Sequence, residues 1–270
     1  MFLVWEMFEY KSFYLDNPIV IGRAIDIFEP TEITKDTALF IVHGGGWRAG
    51  SRGGLHKIVW AFREKGYIVA STDYRLYAKD AFEQLTDIRA TYDLFVSFLK
   101  KNNRPLKIAV YGESAGAHLA SLLAYTEPNQ LGEQNNLQNE WVKPECALLQ
   151  STPIDFCYRE DINKTIWKDM QSIAGVDYQT NKQVYEKLSL KNHINNTNPR
   201  TFFMEAEIED LFPGEHTKMV VDKHREMGID SQWKVYPQME HGFFYEFVRE
   251  QQRVALEDAC LFMDGKLKTE

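Results

Sequence analysis

Short apolar runs alternate along this chain with longer stretches in which apolar positions recur every three or four residues. "IVIGRAIDIF" (19–28), "TALFIVH" (37–43), "YIVASTDY" (67–74), "LKIAVYG" (106–112), "CALLQS" (146–151), "TFFMEAE" (201–207) and "SQWKVYP" (231–237) read as strands. Several are apolar almost without interruption, which suits strands buried on both faces, as in a parallel sheet. Between them, Phe82, Leu85, Ile88, Tyr92, Phe95, Val96 and Leu99 form a broad stripe that predicts a helix over 80–101. Residues 114–125, 214–228 and 243–264 also read as helices. Strands alternating with helices in this order predict an α/β fold, a mostly parallel sheet with helices on both faces.

Two segments interrupt the alternation. Residues 126–145 are polar and rich in Asn and Gln, a surface loop. Residues 155–198 are far longer than a plain crossover needs, so they read as a cap or lid built over one end of the sheet. The expected organisation is a single domain over 1–270 with that insertion at about 155–198. At 270 residues the chain lies near the upper end of what one α/β domain spans.

Composition changes this picture little. Apolar residues make up 44% and charged ones 26%, enough for a core and a wetted surface. The net charge of −8, with no basic tract, argues against nucleic acid and anionic membranes as partners. Cys146, Cys157 and Cys260 are odd in number and widely spaced, which gives neither a disulfide framework nor a zinc site. Reduced thiols, no basic N-terminal start and no cleavage site make the cytoplasm the expected compartment. No apolar run reaches the ~18 residues of a membrane helix, so no membrane insertion is expected.

The candidate chemistry begins at "GESAG" (112–116), which follows a predicted strand and opens a predicted helix. A G-x-S-x-G pattern puts its serine, here Ser114, on a sharp strand-to-helix turn at the carboxyl end of the sheet. "HGGGW" (43–47) ends another predicted strand. Its backbone N–H groups can approach a substrate oxygen without side-chain obstruction. Gly44, Gly46 and Ala49 also fit a relaxed dinucleotide pattern, but "WRAGSRGG" is a poor start for the helix that pattern requires. A serine near neutral pH needs a base. Of seven histidines, His241 in "QMEHGFF" has the right place, after the last strand. His118 lies on the serine's own helix as a packing residue, His193 falls in an Asn-rich loop, and His216 and His224 fall on a helix with solvated faces. The acid that orients the imidazole belongs just past the preceding strand. There "EAEIEDLFP" (205–213) offers Glu205 and Glu207 at the strand end and Glu209 and Asp210 in the loop, with Asp155 an outside candidate.

"HGGGW", "STDYRL", "GESAG" and "YPQMEHGF", in this order, resemble the α/β-hydrolase esterases of the acetyl-esterase and hormone-sensitive-lipase-like group, from about residue 37 to residue 247. The resemblance implies the α/β-hydrolase fold, Ser114 as nucleophile and His241 as general base. It places Glu209 in the acid slot, with Asp210 beside it, and maps the oxyanion donors to Gly45, Gly46 and Ala115. It implies no metal and no cofactor. The short region before the first motif argues against the large N-terminal cap of the lipase-like members. After "DYRL" the chain departs from the group with "YAKDAFEQL". The implied activity is that of a serine carboxylesterase on small-molecule esters with short acyl groups. An arylformamide hydrolase on the same triad, or a non-catalytic binding protein on the same scaffold, are the rival readings. Trp47, Phe156, Tyr158 and Trp167 are candidates to line the pocket. The sequence leaves the oligomeric state open, a homo-oligomer included.

Overall fold

A computed structural model describes residues 10–15, 23–160 and 162–267. The apolar start of the chain up to residue 9 and the first part of the first expected strand, 19–22, lie outside those residues.

Eight strands form one sheet: β1 (Tyr10–Tyr14), β2 (Ala24–Phe28), β3 (Thr37–Val42), β4 (Val69–Thr72), β5 (Lys107–Glu113), β6 (Cys146–Gln150), β7 (Arg200–Ile208) and β8 (Ser231–Glu240). Their spatial order is β1-β2-β4-β3-β5-β6-β7-β8. From β4 to β8 every neighbouring pair is parallel, while β2 runs antiparallel to both β1 and β4. Every residue of β2, β3 and β6 is buried, in keeping with their mainly apolar runs.

Seven α-helices accompany the sheet among the described residues: α1 (His56–Glu64), α2 (Ala81–Lys101), α3 (Ala115–Tyr125), α4 (Lys164–Ala174), α5 (Lys182–Leu188), α6 (Gly214–Glu226) and α7 (Glu250–Met263). Alternate strand residues face opposite sides, which splits the core in two. Phe40, Val42, Val110, Leu149 and Phe203 pack with the stripes of α2, α3 and α6. Leu39, Ile41, Tyr111 and Leu148 pack with α1 and α7 through Ile58, Phe62, Ala255 and Ala259. None of the helices among the described residues is long and apolar enough to cross a membrane.

Local chemistry sets several boundaries. Asp80 caps α2 by accepting the Phe82 and Glu83 amides at 3.0 Å each. The loop 126–145 carries no helix or strand but is tied down by Arg89, fully buried on α2. Its guanidinium reaches Glu133 at 3.0 Å and the Thr126 hydroxyl at 2.7 Å. β1 and α1 have no counterpart in the hydrophobic pattern. β1 is an edge strand with little buried surface, and α1 follows a 3-10 turn at Arg52–Leu55 whose glycines read as loop. The final helix begins at Glu250 and not at 243, because Phe243 and Phe244 are buried loop residues that extend the apolar stripe without being helical. His224 is fully buried near Asn198 and Tyr125, contrary to the solvated face expected for it. Tertiary packing, invisible in a helix-period pattern, covers that side of α6.

The chain winds outward from β3 to β4, then crosses back to place β5 on the other side of β3. Crevices at the carboxyl ends of strands where the order reverses are where ligands bind in open α/β sheets.

Candidate active site

Ser114 sits between β5 and α3 with φ 49° and ψ −122°, a conformation side-chain-bearing residues avoid. Holding it costs ~1–3 kcal/mol, which the surroundings must offset. The Ser114 amide donates to Gln150 O at 2.8 Å, and the Ser114 carbonyl accepts the His118 amide at 3.1 Å, starting α3. Gly116 lets the first turn of α3 press against the end of β3. A Cβ there would lie 2.3 Å from Val42 O and 2.4 Å from His43 O. The serine turn and the glycine loop after β3 are therefore forced together.

That loop is itself tightly wound. Gly45 has φ 111°, and its carbonyl accepts the Arg48 and Ala49 amides at 3.1 and 2.9 Å. The Tyr74 hydroxyl donates to His43 O at 3.1 Å, and the Tyr74 ring stacks on His43 with centroids 4.3 Å apart. Gln84 donates to the Trp47 carbonyl at 2.8 Å. Tyr74, Gln84 and the stacked imidazole thus fix the backbone around Gly45 and Gly46, while Ala115 is fully buried at the start of α3.

His241 follows β8. Its Nε2 lies 2.9 Å from Ser114 Oγ, and its Nδ1 lies 2.8 Å from Glu209 Oε2 and 3.1 Å from Oε1. The β7–β8 pairing shifts register between Ala206 and Ile208, so that Ile208 pairs with Glu240. Such a bulge re-aims side chains next to a functional site. Here it sets the residue after β7 beside the residue after β8. Phe212 packs against the imidazole at 5.7 Å between centroids.

Glu209, not Asp210, meets the histidine. Its side chain is 8% exposed, and Asp210 beside it is exposed. Glu209 Oε1 also accepts the Leu211 amide at 2.9 Å. Burial alone would raise the Glu209 carboxyl, but hydrogen bonding and charge from His241, with help from the Leu211 amide and Ser151, hold it below its ordinary value. It is an anion at neutral pH. Two other carboxyls nearby are pushed the opposite way. Burial raises Glu113 to about 7 and Glu205 to about 8. Glu205 accepts the Thr217 hydroxyl at 3.0 Å, while Glu113 Oε2 is buried with no hydrogen-bond partner. Neighbouring acids driven apart in this way mark sites where one carboxylate must stay charged.

The BD-FAE family matches residues 25–223. The chain belongs to that family. This BD-FAE chain is 25% identical over 250 residues to the probable carboxylic ester hydrolase LipM of Mycobacterium tuberculosis, covering 87% of this chain and 57% of the relative. It therefore spans little more than half the length of that protein. A propionate-bound thermophilic esterase, Est2 of Thermogutta terrifontis, superposes with a TM-score of 0.71 at 19% identity over 97% of this chain and 96% of that one. A truncated carbohydrate esterase from gut microbiota superposes with a TM-score of 0.79 at 17% identity over 97% and 98% of the two chains. These likenesses establish the α/β-hydrolase fold for this BD-FAE member.

The remaining candidates lie apart from the serine. Asp155 pairs with Lys191 at 2.6 Å and does not reach His241. Glu207 stands on β7, where it accepts the Gln238 amide at 2.8 Å. Trp47 and Phe156 are fully buried and pack edge to face at 5.6 Å, with His118 between them in contact with both. Both belong to the hydrophobic core on the α2 and α3 side of the sheet. Tyr158 is 52% exposed and packs on Trp167, which also touches Tyr178 and Tyr185. His118 is a packing residue, accepting from Trp47 Nε1 at 3.2 Å and donating to Leu188 O at 2.8 Å. Sequence reasoning missed Ser151, in the loop after β6, whose side chain helps to hold the Glu209 carboxyl below its ordinary value. It sits at φ 49°, and no motif marks it.

Proposed function

We propose that this BD-FAE chain is a serine carboxylic ester hydrolase in which Ser114 is the nucleophile, His241 the general base and Glu209 the acid. The observation that carries this reading is the unbroken relay from Glu209 through His241 to Ser114 Oγ, with both imidazole contacts at 2.8–2.9 Å. His241 Nε2 takes the hydroxyl proton as Oγ attacks the ester carbonyl. The buried Glu209 carboxylate fixes the tautomer with hydrogen on Nδ1 and stabilises the imidazolium that forms. The tetrahedral oxyanion rests on the backbone N–H groups of Gly45, Gly46 and Ala115, in a loop that cannot relax away. His241 then protonates the departing alcohol, and the same base activates water to release the acid from the acyl-enzyme.

The insertion at about 155–198 serves as a cap over the carboxyl end of the sheet, with α4, α5 and a 3-10 turn at Leu190–His193 as its parts. A cap of this size favours small acyl groups of the acetyl type. The propionate-bound Est2 is in keeping with small acyl groups, and the relative named as a carboxylic ester hydrolase with ester hydrolysis.

The test is hydrolysis of p-nitrophenyl acetate by wild type and by Ser114→Ala, with fluorophosphonate labelling of both. Wild type should turn over and be labelled, and the variant should fall to background in both assays. A folded wild type that neither hydrolyses the ester nor takes the label overturns the reading. Turnover falling from acetate to octanoate supports the short-acyl preference, and the opposite order refutes it.

A further inference from the structure

Helix α4 turns an apolar stripe inward through Ile166, Met170 and Ile173, all buried. Asp169 lies three residues after Ile166 and four before Ile173, so it shares that inward face. It is half-buried, and its Oδ2 lies 3.5 Å from where a Cβ would stand on Gly46. Among the described residues it has no hydrogen-bond or ion-pair partner. The neighbouring Met170 lines a small cavity with Phe212, whose ring packs on His241. This face of α4 therefore brings Asp169 to the glycine loop after β3, and Met170 to the cavity that Phe212 shares.

A carboxylate here works against the reaction of a plain ester. Its negative charge stands close to the backbone groups assigned to the oxyanion, where it opposes the charge that develops in the transition state. A plain alkyl ester offers nothing in return. A substrate with a hydroxyl near the scissile ester would, by donating a charge-assisted hydrogen bond to the free carboxylate. A cation is the poorer match. The aromatic rings of the cap, which could face a cation, close on one another around Trp167 and not around Asp169.

We infer that Asp169 is a specificity residue that selects esters carrying a free hydroxyl next to the reacting carbonyl or the leaving oxygen. The inference rests on the ester-hydrolase reading above. It predicts effects of opposite sign, which a merely structural residue would not produce. In Asp169→Ala, kcat/KM for a hydroxylated ester should fall about 10- to 100-fold. For its unsubstituted analogue it should rise, because the opposing charge is gone. Asp169→Asn, which keeps an acceptor but loses the charge, should fall between wild type and Asp169→Ala on the hydroxylated ester.

The experiment compares glyceryl monoacetate with propyl acetate, which places the hydroxyl on the alcohol, and ethyl lactate with ethyl propionate, which places it on the acyl group. Acetylcholine is the cationic arm. Inversion in either pair supports the inference and tells which side of the ester faces Asp169. Parallel loss on all esters, no change in either pair, or a loss confined to acetylcholine overturns it while the ester-hydrolase reading stands. A wild type inactive on every ester removes both.

Discussion

Glu209 and Asp210 are adjacent acids of nearly equal chemistry, so exchanging each for its amide isolates what geometry contributes. Glu209→Gln keeps the shape and keeps an acceptor for the Leu211 amide. It can, however, turn an NH2 toward His241 Nδ1. The imidazole must then accept at Nδ1 and carry its proton on Nε2, pointing at Ser114 Oγ, 2.9 Å away. In that tautomer it cannot take the serine proton. Where a buried triad acid is replaced by its amide, the loss is ~10⁴ in kcat, about 5 kcal/mol at 1.36 kcal/mol per tenfold. The Glu209 side chain is 8% exposed, so slight access to water leaves a loss of about 10³–10⁴ as the expectation. Asp210→Asn removes an exposed charge and should change kcat less than about twofold. The assay is p-nitrophenyl acetate turnover, with thermal melting as a control for folding. A Glu209→Gln enzyme within tenfold of wild type, or an Asp210→Asn enzyme that loses most of its activity, would refute the assignment.

Two further outcomes concern the scaffold. Gly116→Ala would drive a Cβ into the Val42 and His43 carbonyls, backbone atoms that cannot swing aside. It should cost at least ~1–3 kcal/mol, seen as a lowered Tm, whereas Gly53→Ala, which meets only the Ser51 hydroxyl at 3.8 Å, should leave Tm nearly unchanged. Equal Tm values for the two would discredit the packing argument. Burial pushes the fully buried His118 imidazole from 6.5 down to about 4. Between those values the unfolded chain binds the extra proton, so this group removes stability as pH falls from 6.5 to 4, by roughly 3 kcal/mol in all. Urea melts of wild type and His118→Asn across that range should show a shallower pH dependence in the variant, and parallel curves would contradict it.

The carboxylates beneath the site explain why the serine relay needs a particular environment and not simply a nearby acid. Glu113 and Glu205 are raised by burial, whereas Glu209 is held down by His241 and the Leu211 amide. A second full charge beside Glu209 would repel it. Glu205, sealed on β7 and bonded to Thr217, is favoured neutral at pH 7 and so adds no second full charge beside Glu209.

Much was settled by local sequence. Short apolar runs identified seven of the eight strands, most of them nearly continuous because a strand buried on both faces has little freedom to be polar. "GESAG" put Ser114 between a strand and a helix, since only a glycine at 116 lets backbone approach backbone there. "HGGGW" and "EHGF" put their residues after strands for similar local reasons. The polar edge strand β1 and the start of α1 were illegible, because neither carries a sustained buried stripe. The choice between Glu209 and Asp210 was beyond sequence as well. Both acids occupy one loop, and only the register shift between β7 and β8 decides which of them lies beside His241. The burial of His224, the influence of Ser151 on Glu209 and the approach of Asp169 to Gly46 have the same origin. Each joins residues far apart in the chain, and their contacts exist only once the sheet, the cap and the helices are packed together.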